Sequence, residues 1–263
     1  VVNTILKEAD LFCPNSVRIN FTIYRIISLK RGVAMMKNYF KGRHFQKDII
    51  LVAVGYYYRF SLSYRDIVEI LRDRGIAVHH TTIMRWVHHY GPLFKLLWRK
   101  QRCSHSQSWR VDETYIKING RWCYFYRAID SHGLTLDFEL RKHRDYQSAY
   151  HFLRCLLTTY GCPNCLVTDQ YGGTLKAIKQ VIKDGLLATE NHQCSKYRNN
   201  LIEQDHRLIK HVLVKSSGFQ SLRTALKTLS GIEVMHQLHK QSQREPNIFG
   251  FSALQSLNEL LAN

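Results

Sequence analysis

A mixed α/β domain preceded by an all-α region of the helix-turn-helix kind is the fold class that the sequence predicts, on three features. Two helical stretches flank a glycine-containing turn before residue 102, the apolar period drops to two at Trp109, and three β-rich runs are followed by helix, strand and helix.

In the first helical stretch, residues 63–75, Ser63 supplies an N-cap, Ile67, Ile70 and Leu71 form an i, i+3, i+4 stripe, and Gly75 provides a stop. After a link through Val78, a second helix starts near Thr81 or Thr82 and runs to Tyr90, where Gly91-Pro92 is expected to end it. Helix, short turn, helix is the pattern that lays its second helix in the DNA major groove. Thr81, Thr82, Arg85, His88 and His89 then face DNA while Ile83, Trp86 and Val87 pack inward. An ordinary helical hairpin carries the same pattern.

From Trp109 three strands follow: residues 109–118, residues 121–130 after Asn119-Gly120, and residues 134–140 after Ser131-His-Gly133. Asn-Gly between β-rich runs is a strong hairpin signal. A helix over 146–159, a buried-type strand over 165–169 and helices over about 174–183 and 199–214 come next. Three antiparallel strands, then helix, strand and helix, is the order of an RNase H-like α/β domain. In the tail, Leu222, Leu226, Leu229, Ile232, Val234, Met235 and Leu238 recur at near-helical spacing, as core or as a dimer interface, with His236 and His239 on the polar face. The expected organisation is therefore a helix-turn-helix DNA-binding region over 36–102, a catalytic domain over 103–218 and a C-terminal helical region over 219–263. Residues 1–35 lack a sustained period, and Met35-Met36 precede the better-patterned chain, so translation is expected to begin there, with 1–35 an upstream extension.

Composition bounds the function. Lys and Arg number 38 against 20 Asp and Glu, a net charge of +18, with 14 histidines besides. Half of that excess lies in residues 36–102, where 13 basic residues face 4 acidic ones. Such a chain points to a polyanionic partner, nucleic acid before membrane. The longest uncharged apolar run, Ile49 to Tyr58, is far short of the roughly 20 residues of a bilayer span. No secretory signal pattern opens the chain, and seven irregularly placed cysteines fit a reducing compartment, so a cytoplasmic, nucleoid-associated protein is expected.

Three acids carry the chemistry. Asp112 lies midway along the first strand, Asp169 ends the strand expected beside it, and Glu203 sits on the later helix. A carboxylate in a β-rich run is costly to desolvate unless a cation compensates, and three converging ones repel. A divalent metal resolves the repulsion. Two Mg²⁺ ions about 3.5–4 Å apart can activate a water or a 3′-hydroxyl and stabilise the leaving oxygen in displacement at phosphorus. Lys210 follows Glu203 by seven residues on the same helical face, with Arg207 one turn along. These cations hold DNA phosphates, or else form a solvated charge ladder with Glu203.

Asp112-Glu-Thr-Tyr-Ile-Lys-Ile-Asn-Gly-Arg-Trp122, Tyr126-Arg-Ala-Ile-Asp130, Thr168-Asp169, Tyr197-Arg-Asn-Asn-Leu-Ile-Glu-Gln-Asp-His206 and Gly231-Ile-Glu-Val-Met235 resemble the transposases of bacterial insertion-sequence family six. Upstream, Phe40-Lys-Gly-Arg-His-Phe45 and Ser63-Tyr-Arg65 match the same family, so that the resemblance spans about residues 36–243. It implies a DDE transposase with an integrase-like catalytic domain, whose metal-binding acids match Asp112, Asp169 and Glu203. The 34-residue interval from Asp169 to Glu203 is the family's spacing, and Lys210 matches the basic residue after its glutamate. It further implies two Mg²⁺ ions, with Mn²⁺ as substitute, cleavage at terminal inverted repeats of double-stranded DNA and joining of the 3′-hydroxyl to target DNA. Cointegrate products and a homodimer or higher assembly are part of the same implication. The sequence departs from the family after the second aspartate, where Gln170-Tyr-Gly-Gly173 replaces the usual Lys, Ala and Pro and predicts a more flexible loop.

Cys162-Pro-Asn-Cys165 with His192 and Cys194 has zinc-like spacing, but loop and strand-end thiols are the plainer reading. Asp130, Asp137 and Asp205 sit at element ends or edges, where solvated acids are ordinary. Two rivals to the transposase stay open at this level: a decayed copy acting only as a sequence-specific DNA-binding protein, and a general RNase H-type nuclease.

Overall fold

The computed structural model describes residues 39–100, 105–195, 200–213, 218–243 and 250–262; the expected extension over 1–35 lies outside them. The chain divides into two compact units, residues 1–44 and 45–263. Of the first, the described residues 39–44 form turns.

The second unit begins with α1 (Lys47–Arg59), which buries Ile50, Leu51, Ala53, Val54, Tyr57 and Tyr58. The apolar run too short for a membrane is thus a core helix, hydrophobic nearly all round because other helices cover it. Among the described residues no helix is long and apolar enough to cross a membrane. In α2 (Tyr64–Arg72) the Ser63 hydroxyl accepts from the Asp66 amide while the Asp66 carboxylate accepts from the Ser63 amide, a reciprocal capping box. Gly75 takes φ +73° in the turn that follows.

α3 (His80–Lys100) corrects the expected stop at Gly91-Pro92, since the helix passes through both residues and on to Lys100. Proline forfeits one backbone hydrogen bond there, but the continuation buries Leu93, Phe94, Leu97 and Trp98. Burying such side chains is worth about 1.5–3 kcal/mol each, which outweighs the break. The Tyr58 hydroxyl donates to the Val87 carbonyl at 2.6 Å just before the proline. Gly91 is needed for contact rather than termination, because a Cβ there would lie 2.1 Å from the Lys227 carbonyl oxygen.

The sheet is built from β1 (Ser108–Ile118), β2 (Arg121–Asp130), β3 (Thr135–Arg141), β4 (Cys165–Thr168) and β5 (His192–Cys194), in spatial order β3-β2-β1-β4-β5. β1, β2 and β3 are antiparallel neighbours, whereas β4 runs parallel to β1 and β5 parallel to β4. Asn119 and Gly120 turn the first hairpin with φ +46° and +74°, the left-handed pair that such a turn requires. This is the RNase H-like arrangement. β5 carries no apolar run and has no counterpart in the sequence reading.

α4 (Tyr146–Tyr160), capped by Asp145 on the Ser148 amide, and α5 (Gly172–Lys183) cover one face. Trp109, Val111, Tyr126, Ala128, Leu136, Phe152, Leu156, Leu166 and Ile178 share that core. α5 starts two residues before the expected Thr174, so Gly172 and Gly173 lie within a helix and the predicted flexible loop shrinks to Asp169–Tyr171.

α6 (Asn200–Leu213) and α7 (Leu222–Ser242) follow, the latter capped by Ser221 on the Thr224 amide. α7 buries Leu229, Gly231, Ile232, Glu233, Val234, Met235, Gln237 and Leu238, so its stripe is core packing within the chain. Beside it α8 (Ala253–Ala262) packs Ala253 and Leu257 against Gly55 of α1.

Candidate active site

Parallel pairing of Arg110 with Val167 fixes where the acids fall. Two residues further along each strand come Asp112 and Asp169, side by side at the end of β4, as expected from the sequence. Glu113 joins them: one carboxylate oxygen from each of Asp112, Glu113 and Asp169 lies within 4.8 Å of the others. Strand alternation sends Asp112 and Glu113 to opposite faces. The β1–β4 ladder, however, ends at Arg110 and Val167, and all three acids lie beyond it.

Glu203 is not part of this group in the structure. It is exposed in the first turn of α6. What α6 turns toward Asp112 is His206, buried, with Nε2 3.4 Å from Asp112 Oδ2. Glu203 lies one turn before His206 on that face and Lys210 one turn after. Lys210 lines an open depression with Tyr115, Trp122 and Tyr124, and Arg207 is exposed.

Electrostatics mark the cluster as wanting positive charge. Burial pushes the Glu113 carboxyl up to about 7; Arg144 pulls it down, and the neighbouring Asp169 and Asp112 charges push it up again. Burial also raises Asp169, with the Tyr171 amide opposing and Asp112 adding to the rise. Arg144 pairs with both, its Nε donating to Glu113 and its Nη2 to Asp169 at 3.0 Å. Carboxylate oxygens held together in this way are the hard donor set that divalent cations take, so the residues present fit a divalent metal. Glu113 and Arg144 escaped the sequence reading because alternation hid the first and a loop position the second. Two adjacent acids in one β-rich run were the available signal.

A buried ionic lattice ties α6 to the sheet behind these acids. Arg127, the β2 partner of Asp112 in register, is fully buried and donates to Glu233 of α7 at 2.7 Å and to Asp205 of α6 at 3.3 Å. Lys240 and His236 of α7 also reach Asp205, which holds its carboxyl well below the usual range despite burial. His236 thus turns its ring to Asp205, and His239 meets Arg59 at 3.0 Å. Asp130 accepts from the amides of Ser106, His132 and Leu134, and Asp137 pairs with Lys95 and Arg99.

Among the proposed DNA-facing residues Arg85 and His89 are exposed, while Thr81, Thr82 and His88 are half-buried. The Thr81 hydroxyl meets His79 Nδ1 at 2.8 Å. His88 is held below its usual value by burial and by Lys227, so it faces α7 at least in part. Ile83, Trp86 and Val87 are buried, as the helix-turn-helix reading requires. The His192 ring lies 2.9 Å from the Thr168 hydroxyl and the Cys194 thiol donates to the Asp169 carbonyl. The metal-ligand group found among the described residues is the one at Asp112.

A mixed sheet with paired acids at the ends of its central parallel neighbours, following a helical region, has the layout of a metal-assisted phosphoryl-transfer enzyme. The family model described as "DDE domain", of IS240-type transposases, matches residues 106–242. The transposase of insertion sequence-like element IS431mec from Staphylococcus aureus is 50% identical over 226 residues, 86% of this chain and all of the relative. The transposase of element IS257 in transposon Tn4003, also from Staphylococcus aureus, matches to the same extent. An HTLV-2 integrase catalytic core solved with magnesium overlays with TM-score 0.38 at 15% identity, covering 59% of this chain and 98% of that one. The chain belongs to the DDE transposases of bacterial insertion-sequence family six. It is an insertion-sequence transposase that uses a divalent metal on DNA.

Proposed function

We propose that this transposase reads the terminal inverted repeats of its element through α2, the following turn and α3, with Thr81, Thr82, Arg85, His88, His89 and the α6 residue Arg207 at the DNA. It cuts at the element's ends and joins the freed 3′-hydroxyl to target DNA, generating cointegrates as a homodimer or larger assembly in the bacterial cytoplasm and nucleoid. The supporting observation is that Asp112 and Asp169 fall side by side from two parallel strands in a chain carrying the family's domain.

Asp112, Asp169 and Glu203 would hold two Mg²⁺ ions, with Mn²⁺ as substitute, and the bound metal supplies a polarised nucleophilic oxygen and a neutralised leaving oxygen at phosphorus. Asp112 and Asp169 orient from rigid strand ends, the placement that precise positioning demands. Glu203 would join them from α6, whose His206 meets Asp112 and whose Asp205 is held by Arg127. Lys210, two turns along that helix, places a cation where DNA phosphate passes.

An end-cleavage and strand-joining assay on labelled DNA carrying the element's terminal repeats tests the reading. Products in wild type that vanish without Mg²⁺, in Asp112→Ala and in Glu203→Gln are expected. Tight end binding without products in wild type would leave a DNA-binding protein only, and cutting without regard to end sequence would indicate a general nuclease.

A further inference from the structure

Tyr171 lies in the short stretch between Asp169 and α5. Its ring sits over the Arg144 guanidinium, 3.9 Å from Cζ to the ring centroid. Its hydroxyl donates to the Arg144 main-chain carbonyl at 2.7 Å. One side chain therefore grips Arg144 at both ends. On the other side the ring rests on Gly173, where a Cβ would come within 2.5 Å of Tyr171 Cε1. Arg144 in turn bridges Glu113 and Asp169, two of the three acids at the site.

We propose that Tyr171 and Gly173 form a clamp that holds Arg144 as the internal counter-ion of the acid cluster, so that a divalent cation must displace Arg144 from Asp169 to bind. The proposal rests on the metal-site reading above. A guanidinium and a divalent ion on the same carboxylate repel each other, so occupancy by one weakens the other. Without Arg144 the three acids would lie close together and partly buried with no cation paired to Glu113 or Asp169, a costly arrangement. A loosely held arginine would yield to the metal easily, whereas a stacked and tethered one competes from a fixed position. Tyr171 is on this account a positioning residue that acts through Arg144.

Mn²⁺ binding to the full chain without DNA, followed by titration calorimetry and by the free-ion electron paramagnetic resonance signal, reads the competition directly. Tyr171→Ala should bind Mn²⁺ on the order of threefold to tenfold more tightly than wild type, the loss of one cation–π contact and one hydrogen bond. Tyr171→Phe, which keeps the ring and loses the hydroxyl, should fall between. Gly173→Ala, which pushes the ring off its seat, should move the same way and serves as a second variant where Tyr171→Ala folds poorly. Unchanged or weaker Mn²⁺ binding in folded Tyr171→Ala and Gly173→Ala, with binding lost in Asp112→Ala, would overturn the clamp and leave the metal site standing. Wild-type binding in Asp112→Ala would overturn both.

Discussion

At Glu113 burial and two neighbouring carboxylates outweigh the nearby arginine. Its carboxyl titrates near 7 in the fold against 4.5 in the unfolded chain. Below pH 4.5 both states hold the proton and the residue imposes no penalty. Between 4.5 and about 7 the unfolded chain releases its proton while the fold retains it, so stability falls as pH rises, by about 3 kcal/mol across the window. Glu113→Gln removes this dependence. The melting temperature of the variant relative to wild type, both free of divalent metal, should climb from pH 4.5 to 7; a pH-independent difference would contradict the reading. Gly91 gives a prediction against propensity. Alanine is favoured over glycine inside a helix by about 1 kcal/mol, yet a Cβ at Gly91 would meet backbone, the Lys227 carbonyl, at 2.1 Å. Gly91→Ala should therefore destabilise by about 1–3 kcal/mol, lowering the denaturation midpoint instead of raising it.

Three elements meet at the Arg127 lattice: β2 supplies the arginine, α6 supplies Asp205, and α7 supplies Glu233. Arg127→Met would strand the buried Glu233 carboxylate and leave Asp205 with Lys240 alone among its cations, at a cost of about 3–5 kcal/mol. Adding Glu233→Gln and Asp205→Asn should recover a large part of that loss. A denaturant series on the single and triple variants checks it, and a stable Arg127→Met would show that the lattice carries little. This lattice was illegible in the sequence, since it joins residues 78 and 106 positions apart, and no local period records such a pairing. Elements with a local signature were legible: the Ser63 cap, the Asn119-Gly120 hairpin, the inward stripe of α3 and the apolar stripe of α7 all stand where their residues indicate. Local signals misled where tertiary burial overrode them. Gly91-Pro92 reads as punctuation, but the apolar face beyond it keeps α3 helical. At the site Asp112 and Asp169 were legible because strand order alone sets their approach. Glu113, Arg144 and Tyr171 were not, because they meet beyond the end of the β1–β4 ladder and through a loop.

The unit over residues 45–263 closes on itself in a way its linear order conceals. After the catalytic sheet the chain returns to the helices that precede it: α7 packs Lys227 on Gly91 and Gly231 on the Tyr58 ring, where a Cβ would come within 2.1 Å, while α8 covers Gly55. The same α7 reaches the sheet through Glu233 on Arg127 and Gln237 on Thr135. One helix thus ties α3 to the sheet that carries Asp112, a link that the proposed reading of DNA ends by α3 and cleavage at Asp112 would need. The chain's excess of 18 positive charges supplies a salt-sensitive attraction to any DNA, so under the proposed reading the register comes from α3, held in place by α7. Removal of residues 219–263 is therefore expected to do more than shorten a tail. It would expose Tyr58 and the Gly91 face of α3 and leave Arg127 without Glu233. Hydrogen exchange in α1 and α3 should rise toward that of unfolded chain, and specific binding to terminal-repeat DNA should be lost although residues 81–89 are intact. Truncated protein that kept both exchange protection in α3 and end-specific affinity would show that the DNA-reading helices fold without α7, and the coupling through α7 would be wrong.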